Sequence, residues 1–414
     1  MSRALITKNG EGKHDVYLGG IIGRCYARDE NWGQVFLANS SFEGTISNVM
    51  VKRAERFNAG GLVGHVQNCG KGGIVDCTAK GNIYADSETI DLEGYAIVGG
   101  IEGGSNANGA NTPIRNCVNY MDVHFQLIST NETEPDVTCY FISAFGNLGG
   151  FSLKNCVNFG NVYVGKNDGK KRDMSTLYLY SMNANEMEDC ANYGKFKFLG
   201  QFGDPNGKSN KIKPPKRVAS MSADKFTRCI TIQNGNDIPT LNGVKVLPIR
   251  HTSNPEKGGT LTDCHFYYHN NNTAGDLFTS ADIPSGATRH SSLSDFTTSK
   301  PFFSAGGWGV IDDETNAYNG YPMPLACGGL STAYTGDGQS ESTAYIINTE
   351  ADLNKLKKAV NDGSRFEGQY FKLGSDIRIT GALDECIGKD YDHAFKGHFD
   401  GNGHAIVGLR KSLF

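Results

Sequence analysis

Short runs of apolar and polar residues in strict alternation dominate this chain. In the clearest, Cys156, Val162 and Val164 are apolar at even offsets while Asn161 and Tyr163 fall between them, the period of a strand with one buried face. The same offsets return as Ile83, as Val123 and Phe125, and as Phe196 and Phe198. Each run follows a recurring phrase: Asp-Cys-Thr at 76 to 78, Asn-Cys-Val-Asn-Tyr at 116 to 120, Asn-Cys-Val-Asn-Phe-Gly at 155 to 160, Asp-Cys-Ala-Asn-Tyr-Gly at 189 to 194. Cys77, Cys117, Cys156 and Cys190 are 40, 39 and 34 residues apart, and Cys229 and Cys264 continue less faithfully at 39 and 35. Such a period marks a solenoid, in which one coil cannot bury its apolar face until a neighbour stacks on it. About six coils are expected.

A second phrase precedes the first within a coil: Gly19-Gly20-Ile21-Ile22-Gly23, Gly60-Gly61-Leu62-Val63-Gly64 and Gly99-Gly100-Ile101. Glycine pairs before an apolar run suit a corner that needs positive φ or close approach to the next coil. Each coil therefore reads as strand, corner, strand. Glycine is 53 of 414 residues and proline only 12, so the glycine excess is structural punctuation. One helix is expected, Thr349 to Asn361, with Thr349 and Asp352 as a capping box, Leu353, Leu356 and Val360 on one face, and Gly363 at its stop. It would cover the open end of a stack. Strand-like Tyr370 to Leu373 and Asp376 to Ile379 follow it.

The run Phe395-Lys396-Gly397-His398-Phe399-Asp400-Gly401-Asn402-Gly403-His404-Ala405-Ile406-Val407-Gly408-Leu409 resembles the opening signature of the GLUG-motif repeat proteins, bacterial surface proteins of adhesin type. The glycine phrases and the Cys-x-Asn-Tyr/Phe-Gly copies are similar to the coils of that group. Ser304 to Leu325, with Gly307-Trp308-Gly309 and Tyr321-Pro322-Met323-Pro324, is similar to a segment that closes such a stack. The resemblance implies an all-β, right-handed parallel β-helix. Residues 1–330 are read as that β-helix, least regular over 200–300, and 331–414 as the helix-capped start of a second, truncated one, so that the chain is expected to be a fragment of a longer protein. Without an upstream coil, strand edges near Gly19 are expected to invite association.

Charge narrows the partners. Forty basic against 44 acidic residues give a formal charge of −4, which calls for neither nucleic acid nor an anionic membrane. The local exception, Lys208, Lys211, Lys213, Lys216 and Arg217 around Pro214 and Pro215, lacks aromatic residues for stacking and reads as a solvated insertion. Met1 to Gly20 has no apolar secretion core, and no stretch reaches transmembrane length. The 11 cysteines form no Cys-x-x-Cys pair; on repeat positions they read as small buried residues. Coils spaced by about 4.8 Å leave a disulfide geometrically open.

Candidate chemistry is sparse. Asn119, Asn158 and Asn192 share an offset and predict an amide ladder; Tyr120, Phe159 and Tyr193, one residue later, are either a stripe for sugar rings or corner packing, and packing is the expectation because the copies repeat it. His398, Asp400 and His404 flank Gly401-Asn402-Gly403 and read as a turn in preference to a metal set. Asp312-Asp313-Glu314 and Asp390 with Asp392 are the acid pairs a glycosidase would need. Asp76 and Asp189 alternate with Asn116 and Asn155 and so read as turn residues bonding backbone. Gly203 to Ser209 is one residue short of a phosphate-binding loop, Gly99 to Gly104 lacks dinucleotide spacing, and neither His-Glu-x-x-His nor Gly-x-Ser-x-Gly occurs. No catalytic, metal or cofactor residue is assigned. The expected role is a non-catalytic surface or secreted stalk that displays loops to a glycan, a host protein or a neighbouring cell. A carbohydrate-active β-helix enzyme and a phage tail or spike protein are the alternatives.

Overall fold

The structure, a computed structural model, describes residues 14–26, 36–46, 51–67, 73–86, 90–105, 112–126, 139–146, 151–164, 176–198, 217–233, 246–251, 260–268, 285–297, 308–311, 317–318, 320–327, 338–361, 365–380 and 386–414. Contacts divide the chain into two compact units, Met1–Leu293 and Ser294–Phe414.

The first unit is a parallel β-solenoid, the fold class expected from the period. Sheet A takes His14–Gly19, Val51–Gly60, Ile90–Gly99, Cys139–Ser143, Thr176–Asn183, Arg217–Ala223 and Leu247–His251, in chain order. Sheet C takes Phe36–Ala38, Gly73–Val75, Thr112–Arg115, Phe151–Lys154, Glu186–Glu188, Lys225–Thr227 and Thr260–Thr262. Sheet D is built of rungs: rung 1, Ser41–Ile46; rung 2, Thr78–Asp86; rung 3, Val118–Gln126; rung 4, Val157–Asn158 with Val162–Val164; rung 5, Ala191–Asn192 with Phe196–Phe198; then Ile230–Gln233, Cys264–Tyr268 and Ala287–Arg289. All pairings in these three sheets are parallel, each strand against its equivalent one coil on.

The alternation seen in sequence becomes columns. On sheet C, Leu37, Ile74, Ile114, Leu153, Met187 and Phe226 lie in register and are buried. On sheet D, Ile83, Val123, Val162 and Phe196 do the same. Complete burial of one such side chain is worth about 1.5–3 kcal/mol, so a coil is stabilised chiefly by the coils above and below it. Cys77, Cys117, Cys156, Cys190, Cys229 and Cys264 form one buried column of free thiols. Their backbone carbonyls accept from the next rung, as in Val118 N to Cys77 O, Val157 N to Cys117 O and Ala191 N to Cys156 O, at 2.9–3.0 Å. The Cys117, Cys156 and Cys229 thiols also donate to carbonyls of the preceding rung, Ile74 O, Ile114 O and Met187 O, at 3.4–3.5 Å. The two cysteines that continued the sequence phrase least faithfully are thus in the column. Between 200 and 300, where the phrase fades, the described strands still pair in register.

The corner chemistry divides differently from the glycine expectation. Positive φ belongs to the residue before each cysteine: Asp76 (53°), Asn116 (54°), Asn155 (51°), Asp189 (52°), Arg228 (50°) and Asp263 (54°). Asn and Asp tolerate this left-handed conformation better than other side chains, which is why they alternate there. The glycine pairs instead serve close approach. A Cβ on Gly61 would lie 1.9 Å from Gly100 O, and one on Gly100 would lie 1.8 Å from Ala144 O. The following strands, Ile22–Tyr26, Val63–Gln67 and Glu102–Ser105, form a parallel three-stranded sheet B. Sheet B approaches sheet A closely: a Cβ on Gly64 would meet Leu18 O at 2.4 Å.

In the second unit, Tyr345–Ile347, Tyr370–Leu373 and His398–Asp400 pair in parallel, as do Ile377–Arg378 and Ile406–Val407. The helix Glu350–Asn361 buries Leu353, Leu356 and Val360 against Ile347, Phe371, Leu373 and Ile377. Its capping box forms with aspartate: Asp352 N donates to Thr349 Oγ1 and Thr349 N to Asp352 Oδ2, each at 3.1 Å. Trp308–Val310 pairs antiparallel with Pro322–Pro324. Residues 201–216 and 312–316, which hold the lysines of the basic loop, the near phosphate-loop sequence and the Asp312 to Glu314 acids, lie outside the described residues.

Candidate functional site: the outer face of sheet D

The expected amide ladder is inside the solenoid. Asn119 Nδ2 donates to Asn158 Oδ1 and Asn158 Nδ2 to Asn192 Oδ1, both at 2.8 Å, and Asn192 Nδ2 reaches Thr231 Oγ1 at 3.2 Å. All three asparagines are fully buried. Asn119 Nδ2 also donates to Ala144 O at 2.7 Å, so the ladder ties sheet D to the chain leaving sheet A. The aromatic column beside it is corner packing: Tyr120 is 38% exposed, but Phe159 is 7% and Tyr193 0% exposed. Tyr120 and Phe159 stack at 4.8 Å and Phe159 tilts onto Tyr193 at 5.5 Å. A stripe for sugar rings would have all three at the surface.

Four residues further along each strand, a second column does reach the surface. Tyr84, His124, Tyr163 and Lys197 occupy successive rungs in register. Tyr84 and His124 stack with centroids 4.4 Å apart and planes 16° from parallel, His124 and Tyr163 at 4.4 Å and 10°, and Lys197 Nζ lies 5.4 Å from the Tyr163 ring centre. Tyr84 is 39% exposed, and the other three are half-buried. Rings stacked along the axis cover one another's faces, so the column presents ring edges, hydroxyls and an ammonium outward.

Between the two columns runs a polar row: Asn82, Asp122, Asn161 and Lys195. His124 Nε2 lies 3.0 Å from Asn82 Oδ1 and donates to it. Asp122 Oδ1 accepts from Asn161 N at 2.8 Å and from Asn161 Nδ2 at 2.9 Å, and Lys195 N donates to Asn161 Oδ1 at 3.0 Å. Burial, and then the Asp122 carboxylate, push the Tyr163 phenol above its ordinary value, so it remains a hydroxyl donor. The other carboxylate described on this face, Glu43, is held by Lys80 at 2.9 Å. Glu43 and Asp122 are two rungs and two residues apart, with their backbones about 12 Å from each other by strand geometry.

Tyr84, His124 and Lys197 went unread in the sequence, although the signal is there: with Tyr163, each stands seven residues after a repeat cysteine. The other sequence candidates have structural settings. Asn116 Nδ2 donates to Asp76 Oδ1 at 2.9 Å and Asn155 Nδ2 to Asn116 Oδ1 at 3.1 Å, an amide ladder along the left-handed corner. It ends where Arg228 forks onto Asp189 at 2.6 and 2.7 Å, which drives the guanidinium further into its charged form. His398, Asp400 and His404 flank a turn, with Asn402 N donating to Asp400 Oδ1 at 2.8 Å and φ positive at Asn402 and Gly403. Asp390 is bonded to His393 Nδ1 at 2.6 Å, and Asp392 offers its backbone carbonyl to Arg365. Burial pushes the Cys117 and Cys190 thiols well above their ordinary value, which leaves them protonated and poor nucleophiles.

Comparison of the chain with family models, with curated proteins and with solved structures gives no match. Among the described residues no helix is long and apolar enough to cross a membrane.

Proposed function

We propose that this chain is a non-catalytic display segment of a bacterial cell-surface or secreted protein, a rigid β-solenoid that binds glycan on the outer face of sheet D. The observation that carries this reading is the outward Tyr84–His124–Tyr163–Lys197 column beside the polar row Asn82, Asp122, Asn161 and Lys195, an array that places a hydrogen-bonding group on every rung, about 4.8 Å apart. A long polymer can engage several equivalent rungs at once, and such multivalent contact builds avidity from weak single contacts. The engagement of the two carboxylates described on this face, Glu43 by Lys80 and Asp122 by Asn161, supports a binding role over hydrolysis. The GLUG-like run from Phe395 to Leu409 supports the surface setting.

The test is a glycan array probed with the purified chain and with Tyr84→Ala and Tyr163→Ala variants whose folding is verified by circular dichroism. Retention on a subset of glycans, lost in both variants, is the expected result. An array on which the parent chain binds nothing, or on which the variants match it, removes the reading.

A further inference from the structure

Resting on that reading of sheet D, we infer that its ligand is an acidic linear polysaccharide, one whose sugars carry carboxylate or sulfate groups, lying along the solenoid axis across rungs 2 to 5. The charge on the face is asymmetric in a way that selects for anions. Of its described acids, Glu43 is neutralised by Lys80, while Asp122 keeps its charge and accepts two hydrogen bonds from Asn161. At the other end, Lys195 and Lys197 bring two cations onto adjacent outward positions of rung 5. Lys197 is held over the Tyr163 ring, which orders the long side chain while leaving the ammonium the positive charge it carries.

The donors point to the same class. The Tyr163 hydroxyl of rung 4 stays protonated between Asp122 and the Lys197 ammonium of rung 5, so an anionic group bridging rungs 4 and 5 would meet a cation next to a hydroxyl. Rungs 2 to 5 span three intervals, about 14 Å, so several consecutive sugars rather than one terminal residue would be read. Recognition along the axis also fits the stacking, since ring faces are closed to an incoming sugar and ring edges with their polar tips are open.

Binding should be measured by affinity electrophoresis and calorimetry with four probes: polygalacturonate, a sulfated linear glycan, a neutral linear glucan of similar length, and polyglutamate. The expected result is binding to at least one acidic polysaccharide, weakening with salt, and a loss of roughly tenfold in Lys197→Glu, the scale of one charge-assisted contact. Lys225→Glu, on the outer face of sheet C, serves as the charge control and should bind as the parent does. Equal binding of the neutral glucan, unaffected by Lys197→Glu, would overturn the acidic assignment while leaving the glycan-binding face intact. Equal binding of polyglutamate would overturn it in favour of unspecific charge attraction. Binding to none of the sugars would end both readings.

Discussion

Truncating Asn158 to alanine isolates what the internal amide ladder contributes. The side chain is fully buried and makes three contacts: Oδ1 accepts from Asn119, and Nδ2 donates to Asn192 Oδ1 at 2.8 Å and to Gly160 O at 3.0 Å. After truncation Asn119 Nδ2 keeps Ala144 O, but Asn192 Oδ1 and Gly160 O lose the Asn158 donor where water does not reach. At about 1–3 kcal/mol for each of the two buried groups stripped of its partner, the cost is roughly 2–6 kcal/mol. Asn161→Ala, on the half-buried outer face, should cost only about 0.5–1.5 kcal/mol because water replaces its partners. Urea unfolding followed by circular dichroism, with the slope unchanged between variants, measures both. A loss below about 0.5 kcal/mol for Asn158→Ala, the level of an ordinary surface change, would refute the ladder as a structural element.

Further outcomes follow from the corners and caps. Gly61→Ala should prevent normal stacking, since its Cβ would lie 1.9 Å from Gly100 O, whereas Gly146→Ala, with its nearest neighbour at 3.8 Å, should melt within a few degrees of the parent. Asn116→Val and Asn116→Gly both lose the ladder bonds, but valine should cost about 1–2 kcal/mol more because a β-branched residue is forced to positive φ; equal losses from both would contradict the corner assignment. Burial pushes the Asp352 carboxyl above its ordinary value, so the folded chain holds that proton more tightly than the unfolded one. Its contribution is therefore fully present below the ordinary aspartate value and is lost as pH rises through the raised one, a decline in the urea midpoint that Asp352→Asn should abolish. Thiol labelling of the native chain should mark half-buried Cys327 and Cys386 before any of the six column cysteines; early labelling of Cys117 or Cys156 would contradict their burial.

The sequence was most legible where one position admits few residue types. A column that must be small and apolar on every rung shows itself as cysteine at near-fixed intervals, and an amide ladder as asparagine two residues later. The helix was legible because Thr349 and Asp352 cap it and its apolar face is regular. The rest was hidden for definable reasons. Glycine pairs announce a corner but not whether φ or proximity demands them, and only the neighbouring carbonyls decide. Arg228 at a left-handed corner has no propensity signal; its conformation is supported by the fork onto Asp189 one rung away. The outer column of sheet D was obscured because tyrosine, histidine and lysine share no class, and their common offset of seven from the cysteine carries meaning only once rungs are stacked.

The central claim is that residues about 39 apart lie directly above one another. Spin labels introduced as bioorthogonal residues at Thr45 and Lys195, on the same outward row of rungs 1 and 5, test it by pulsed dipolar spectroscopy. The two positions are 150 residues apart in the chain, and four rung intervals place their backbones about 19 Å apart. The account predicts one narrow distance population close to that value, broadened only by the label arms. A broad distribution, or a population centred at twice that separation, would contradict the stacked register on which the fold and the binding face both depend.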